Sequence, residues 1–112
     1  MQNKKVVEIF TEAIQAHKSG SILAAKTLYL KLLMLDTEHA NAHHNLAIIL
    51  LKEENGEALH HFKKALEREP ENGQYWVSYI EALITRGMDV QATELLRKGL
   101  SHGLKGEKGD EL

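Results

Sequence analysis

Seven histidines are the most conspicuous chemical groups in this 112-residue chain, and most of them cluster. His39 and His43 stand four apart, while His43-His44 and His60-His61 are adjacent pairs. Imidazoles at i and i+4 share a helix face and could share a metal, but a zinc site wants three or four ligands. Spacing places no further ligand, and the H-E-x-x-H pattern is absent from the sequence. The expectation is therefore no metal. These read as surface or packing histidines, some titrating near neutrality and tuning solubility or binding with pH.

Catalytic constellations are no better supplied. Ser19, Ser21, Ser78 and Ser101 fall in turns or on helices with no paired histidine and acid in evident register. The "GLKGEKG" run has glycines but no preceding strand, so it is not a phosphate loop. The carboxylates scatter along charged stretches such as Lys63, Lys64, Glu67, Arg68 and Glu69, the pattern of a solvated helix face. The chain has no cysteine, which removes disulfides, thiolate nucleophiles and thiolate metal sites. The expectation is that it is not an enzyme and carries no cofactor.

A net charge of −2, from 14 basic and 16 acidic residues, argues for neither a nucleic-acid nor a membrane partner. The first residues, "MQNKKVVEIF", lack the apolar core of a signal peptide, and no apolar run approaches a membrane span. Without a signal peptide the terminal "GDEL" reads as an accidental likeness to a retrieval signal. A soluble cytoplasmic protein is expected.

The elements that must position any site are helices. Gly20, Asn55-Gly56 and Gly87 mark tight turns, and "DTEHAN", "PENG" and "SHG" mark three further joints. The segments between them predict helices near 4–18, 22–35, 40–53, 57–68, 73–86 and 89–101. In "EALHHFKKALEREPEN", Ala58, Phe62, Ala65 and Leu66 fall on one helical face, and Pro70 ends the helix by about Glu69. No segment alternates as a strand would. The expected fold is all-α: one domain of three helical hairpins.

The hairpins repeat. Ala58, Phe62, Leu66 and Pro70 have counterparts at Ala25, Tyr29, Leu33 and Thr37, and again at Ala92, Leu96, Leu100 and Leu104. The first helices align through Ile9, His43 and Trp76; Ala13, Ala47 and Ile80; and Ala16, Leu50 and Leu83. A period of about 34 residues with two helices per unit resembles the tetratricopeptide repeat, whose pattern runs W-x2-L-G-x2-Y, then A-x3-F, then P. The third unit reads Trp76-x2-Tyr79-Ile80-x2-Leu83, then Ala92-x3-Leu96; the second reads His43-x2-Leu46-Ala47-x2-Leu50, then Ala58-x3-Phe62 and Pro70. Units fall at about 6–39, 40–72 and 73–104, with a tail from 105 to 112. Departures are Glu12, Ala16 and His43, and a second turn one residue short; a polar first helix suits a terminal repeat.

The resemblance implies a short right-handed superhelix of six antiparallel helices whose first helices line a concave groove for a peptide or partner protein. Carried over by position, that groove takes Phe10, Ile14 and His17 from the first unit. The second gives Asn41, His44, Asn45, Ile48 and Lys52, and the third Gln74, Val77, Ser78 and Glu81. Phe10, Ile14, Ile48 and Val77 form an apolar floor beside amide and imidazole groups; the alternative for several of these apolar residues is packing between repeats. Family members that bind chaperone tails hold a carboxylate with two lysines, two asparagines and an arginine. Asn45 fits one such slot, while Phe10, Ile14, Gln74 and Ser78 fill the others, so chaperone tails are not expected ligands.

Residues 73–108 also look like repeats near the N-terminus of bacterial proteins that continue into glycosyl-, sulfo- or methyltransferase domains, which implies a recruiting module as an alternative. Apolar Val90, Leu95, Leu96 and Leu100 near the C-terminal edge lead to one more expectation: self-association of the chain through that edge.

Overall fold

The structure, a computed structural model, describes residues 2–103, with side chains from residue 4 onward; Leu104 and the tail from 105 to 112 lie outside the described residues. The described residues form six α-helices and no strand. They are α1 (Gln2–Lys18), α2 (Ile22–Leu35), α3 (Ala40–Lys52), α4 (Glu57–Arg68), α5 (Gly73–Thr85) and α6 (Asp89–Ser101). The periodicity placed these ends to within two residues; α1 begins two residues earlier, and α3 and α5 each close one residue sooner. No helix among the described residues is long and apolar enough to cross a membrane.

Each helix packs on the next in chain order, α1 on α2 through α5 on α6. Small residues make that close approach possible. Ala13, Ala25, Ala42, Ala47, Ala58, Ala65 and Ala82 are all fully buried, where a larger side chain would hold two backbones apart. Tyr29, Leu32, Leu46 and Phe62 fill the space between them and dominate the larger core, which runs from α1 to Ala82 of α5. A second, smaller cluster gathers Ala40, Ala65, Leu66, Tyr75 and Trp76. Trp76 Nε1–H donates to the Pro70 carbonyl at 2.7 Å, which ties α5 to the turn before it.

Three tight turns share one hydrogen bond, from the residue after the left-handed position back to the helix. Ser21 N–H reaches Ala16 O at 2.8 Å, Asn55 N–H reaches Leu50 O at 2.9 Å, and Met88 N–H reaches Leu83 O at 2.8 Å. The left-handed residue is Gly20 (φ +85°) in the first turn and Gly87 (φ +76°) in the third. In the second it is Glu54 (φ +57°), and Gly56 is right-handed at φ −60°. The turn stands where Asn55-Gly56 was expected to mark it, with neither of those two residues in the left-handed position. Asn55 instead accepts the Glu57 N–H through Oδ1 at 2.8 Å and starts α4.

Side-chain caps fix where α3 and α5 begin. Asn72 Oδ1 accepts from Gln74 N–H at 3.0 Å at the head of α5. His39 does the same for α3, its Nδ1 accepting from Ala42 N–H at 3.0 Å. Lys26 Nζ, 2.8 Å from Glu53, joins α2 to the end of α3.

Candidate binding face

The residues expected to bind lie on α1, α3 and α5, and the fold positions them because alternate helices come from successive hairpins. Phe10 is half-buried, its ring centroid 5.0 Å from that of His39 and 6.3 Å from that of Tyr29. Ile48 is half-buried against the main core, while Val77 is exposed. For Phe10 and Ile48, part of the apolar surface is therefore spent on packing. Ile14 and His17 join Lys18, Tyr29 and Asn45 around a recess of about 310 Å³ between α1 and α3. Lys52 and Glu81 are exposed.

The polar residues form connections that spacing on single helices did not reveal. Tyr75 O–H donates to Asn41 Oδ1, linking α5 to α3. His44 Nε2 lies 2.8 Å from Ser78 Oγ, and Gln74 Nε2–H donates to the same oxygen at 3.0 Å. Asn45 Nδ2–H donates to Tyr29 O–H at 3.2 Å, joining α3 to α2, and its Oδ1 stands 3.4 Å from His44 Nδ1. Ser78 therefore has a histidine partner that register on single helices did not reveal, with the Asn45 amide rather than an acid behind it. The partners are 34 residues apart and meet only when α3 and α5 lie side by side.

His44 is buried between the Tyr75 ring, at 4.9 Å, and the edge of Phe62, at 5.8 Å. Burial lowers its pKa, partly opposed by the contact with Asn45, so the imidazole is neutral at physiological pH. Burial pushes the phenols the other way: Tyr29 is raised, and Tyr75 rises to about 12 with help from the nearby Glu69 charge. The centre of the face is a hydrogen-bonded set of uncharged side chains flanked by apolar residues and by the exposed Lys52 and Glu81, suited to contact rather than to acid–base work on its phenols.

Tyr29 and Tyr75 were absent from the sequence-derived set. Tyr75 carried a signal in hindsight, since it is 34 residues after Asn41, the same offset that relates His44 to Ser78.

His43 and His61 form a pair, and His39 serves as a cap. His43 Nε2 is 2.9 Å from the Thr37 carbonyl and its Nδ1 is 2.9 Å from His61 Nδ1, with the two rings stacked 5.1 Å apart. His39 is committed to its cap, so His39 and His43 do not converge on a shared ion. Among the described residues no three His, Asp or Glu side chains form a metal-ligating group.

No protein-family model matches this chain, and no curated protein matches it.

Proposed function

We propose that this chain is a tetratricopeptide-like repeat domain that binds a peptide segment or partner protein on the face built by α1, α3 and α5, with no intrinsic catalysis. The period of about 34 residues, the hydrogen bond shared by the three tight turns and the matching burial of Ala25, Ala58 and Ala92 support that reading. The observation that carries the binding role is the cross-helix set on one face: Asn41 with Tyr75, His44 with Ser78, and Asn45 with Tyr29. Those bonds hold the helices in register and leave Ile14, Ile48 and Val77 as apolar contacts for a ligand. A cytoplasmic setting fits a cysteine-free chain of this kind.

The test is capture of a partner by the intact chain and by a variant carrying Val77→Glu and Lys52→Glu. Both positions are exposed, so the fold survives while the face changes charge. Asn45 and Ile48 are poorer targets, because one bonds the buried Tyr29 and the other packs on the core. Capture that survives both substitutions would contradict the proposal.

The outer face of α6 supports a further part of the reading, self-association. Leu96 and Leu100 are 43% and 56% exposed, whereas their counterparts Tyr29 and Phe62, and Leu33 and Leu66, are all buried. A second copy of the chain is the proposed cover for that face. The same bare face favours the alternative, in which the domain is the recruiting module of a larger bacterial transferase and further chain covers α6.

A further inference from the structure

We infer that Ser78 is an activated hydroxyl that accepts an acyl group from activated esters, in a single stoichiometric transfer. The inference does not rest on the binding reading, because it follows from five side chains joined by hydrogen bonds: Tyr29, Asn45, His44, Ser78 and Gln74.

Asn45 Nδ2–H donates to the buried Tyr29 hydroxyl, which turns the amide oxygen Oδ1 toward His44. An oxygen there accepts, so the His44 proton belongs on Nδ1 and Nε2 keeps its lone pair. At 2.8 Å from Nε2, Ser78 must then be the donor, Oγ–H to nitrogen. Gln74 Nε2–H points at the same Oγ from the other side at 3.0 Å and stabilises negative charge developing on it. The imidazole is clamped between Tyr75 and Phe62, so it cannot easily turn away. Serine, neutral histidine and an orienting amide thus stand in nucleophile–base–orienter order. Ser78 itself is half-buried on the open face, within reach of a small ester.

The step balances without any added oxidant or metal. Oγ bonds to the carbonyl carbon as its proton passes to His44 Nε2. The bond from that carbon to the leaving oxygen then breaks, and the Nε2 proton goes to the departing alkoxide. The products are the Ser78 ester, the free alcohol and neutral His44.

The experiment treats the intact chain with p-nitrophenyl acetate and, separately, with an alkyl fluorophosphonate, reading intact mass and the modified peptide. One adduct per chain at Ser78 is expected, absent in Ser78→Ala. The rate should fall about 100-fold in His44→Gln, the scale of a lost general base. Labelling of Ser101 as fast as Ser78 would overturn the proposal, as would no adduct at all. Because His44→Gln alters a buried side chain, nitrogen chemical shifts of His44 in the unaltered chain provide an independent reading. A proton on Nδ1 and a bare Nε2 are expected; a proton on Nε2 would overturn the assignment.

Discussion

His43 and His61 face each other nitrogen to nitrogen, Nδ1 to Nδ1 at 2.9 Å, and this geometry admits only one proton between them. The Thr37 carbonyl can only accept, so His43 places its proton on Nε2 and offers a lone pair at Nδ1. His61 must therefore donate from its own Nδ1. A second proton would set two N–H groups against each other. Burial lowers the pKa of both rings; His61 falls to about 4, with His43 and His60 adding to the effect, and Lys64 acts in the same direction on His43 while Glu38 opposes it.

Stability should consequently depend on pH below neutrality. A histidine whose folded pKa is lowered binds fewer protons folded than unfolded, so its contribution is complete above about 6.5 and is lost as pH falls toward 4. Thermal melts should show the midpoint dropping across that window. In His61→Gln, whose amide can still donate to His43, the drop should be smaller. An unchanged slope would mean the pair does not govern acid stability.

Glu54 holds a left-handed conformation at the position that Gly20 and Gly87 occupy in the other two turns. A side chain in that region costs about 1–2 kcal/mol, part of which glycine forfeits through the freedom it has when unfolded. Glu54→Gly should therefore stabilise the chain by about 0.5–1 kcal/mol in urea melts. Destabilisation would show that the glutamate side chain has a role that outweighs its backbone strain.

Ala58 is fully buried on α4 against the main core. Ala58→Leu forces extra methylenes into that contact and should cost about 1–3 kcal/mol. A neutral result in chemical denaturation would mean that the helix contact has room to spare.

Self-association through α6 should be visible as a weight-average mass rising with concentration in sedimentation. Leu100→Glu, at an exposed position, should weaken it without altering the circular dichroism spectrum. A clean monomer at high concentration would remove the second copy as the cover for this face.

The helices were legible because each rests on local information: apolar spacing, glycine and proline breaks, and caps within a few residues. The close helix contacts were legible too, since small residues recur at Ala25, Ala58 and Ala92 and all three are buried. What one helix at a time could not show was pairing across helices. The His44–Ser78 contact needs α3 beside α5, and Ser78 alone carries no mark of its partner. The second turn was legible at Asn55-Gly56, but its left-handed residue was not: that is Glu54, next to the Asn55 N–H that bonds Leu50 O. Nor could the sequence show that His39 caps α3, its Nδ1 accepting from a backbone N–H three residues on.

The central claim is that α1, α3 and α5 present the binding face. Its most direct test is backbone amide shift mapping with a peptide selected against this chain from a displayed random-sequence library. The account predicts perturbations concentrated around Ile14, Ile48 and Val77 and at the neighbouring Asn41, Asn45 and Gln74. Perturbations confined to α2, α4 and α6, with α1, α3 and α5 unmoved, would contradict it.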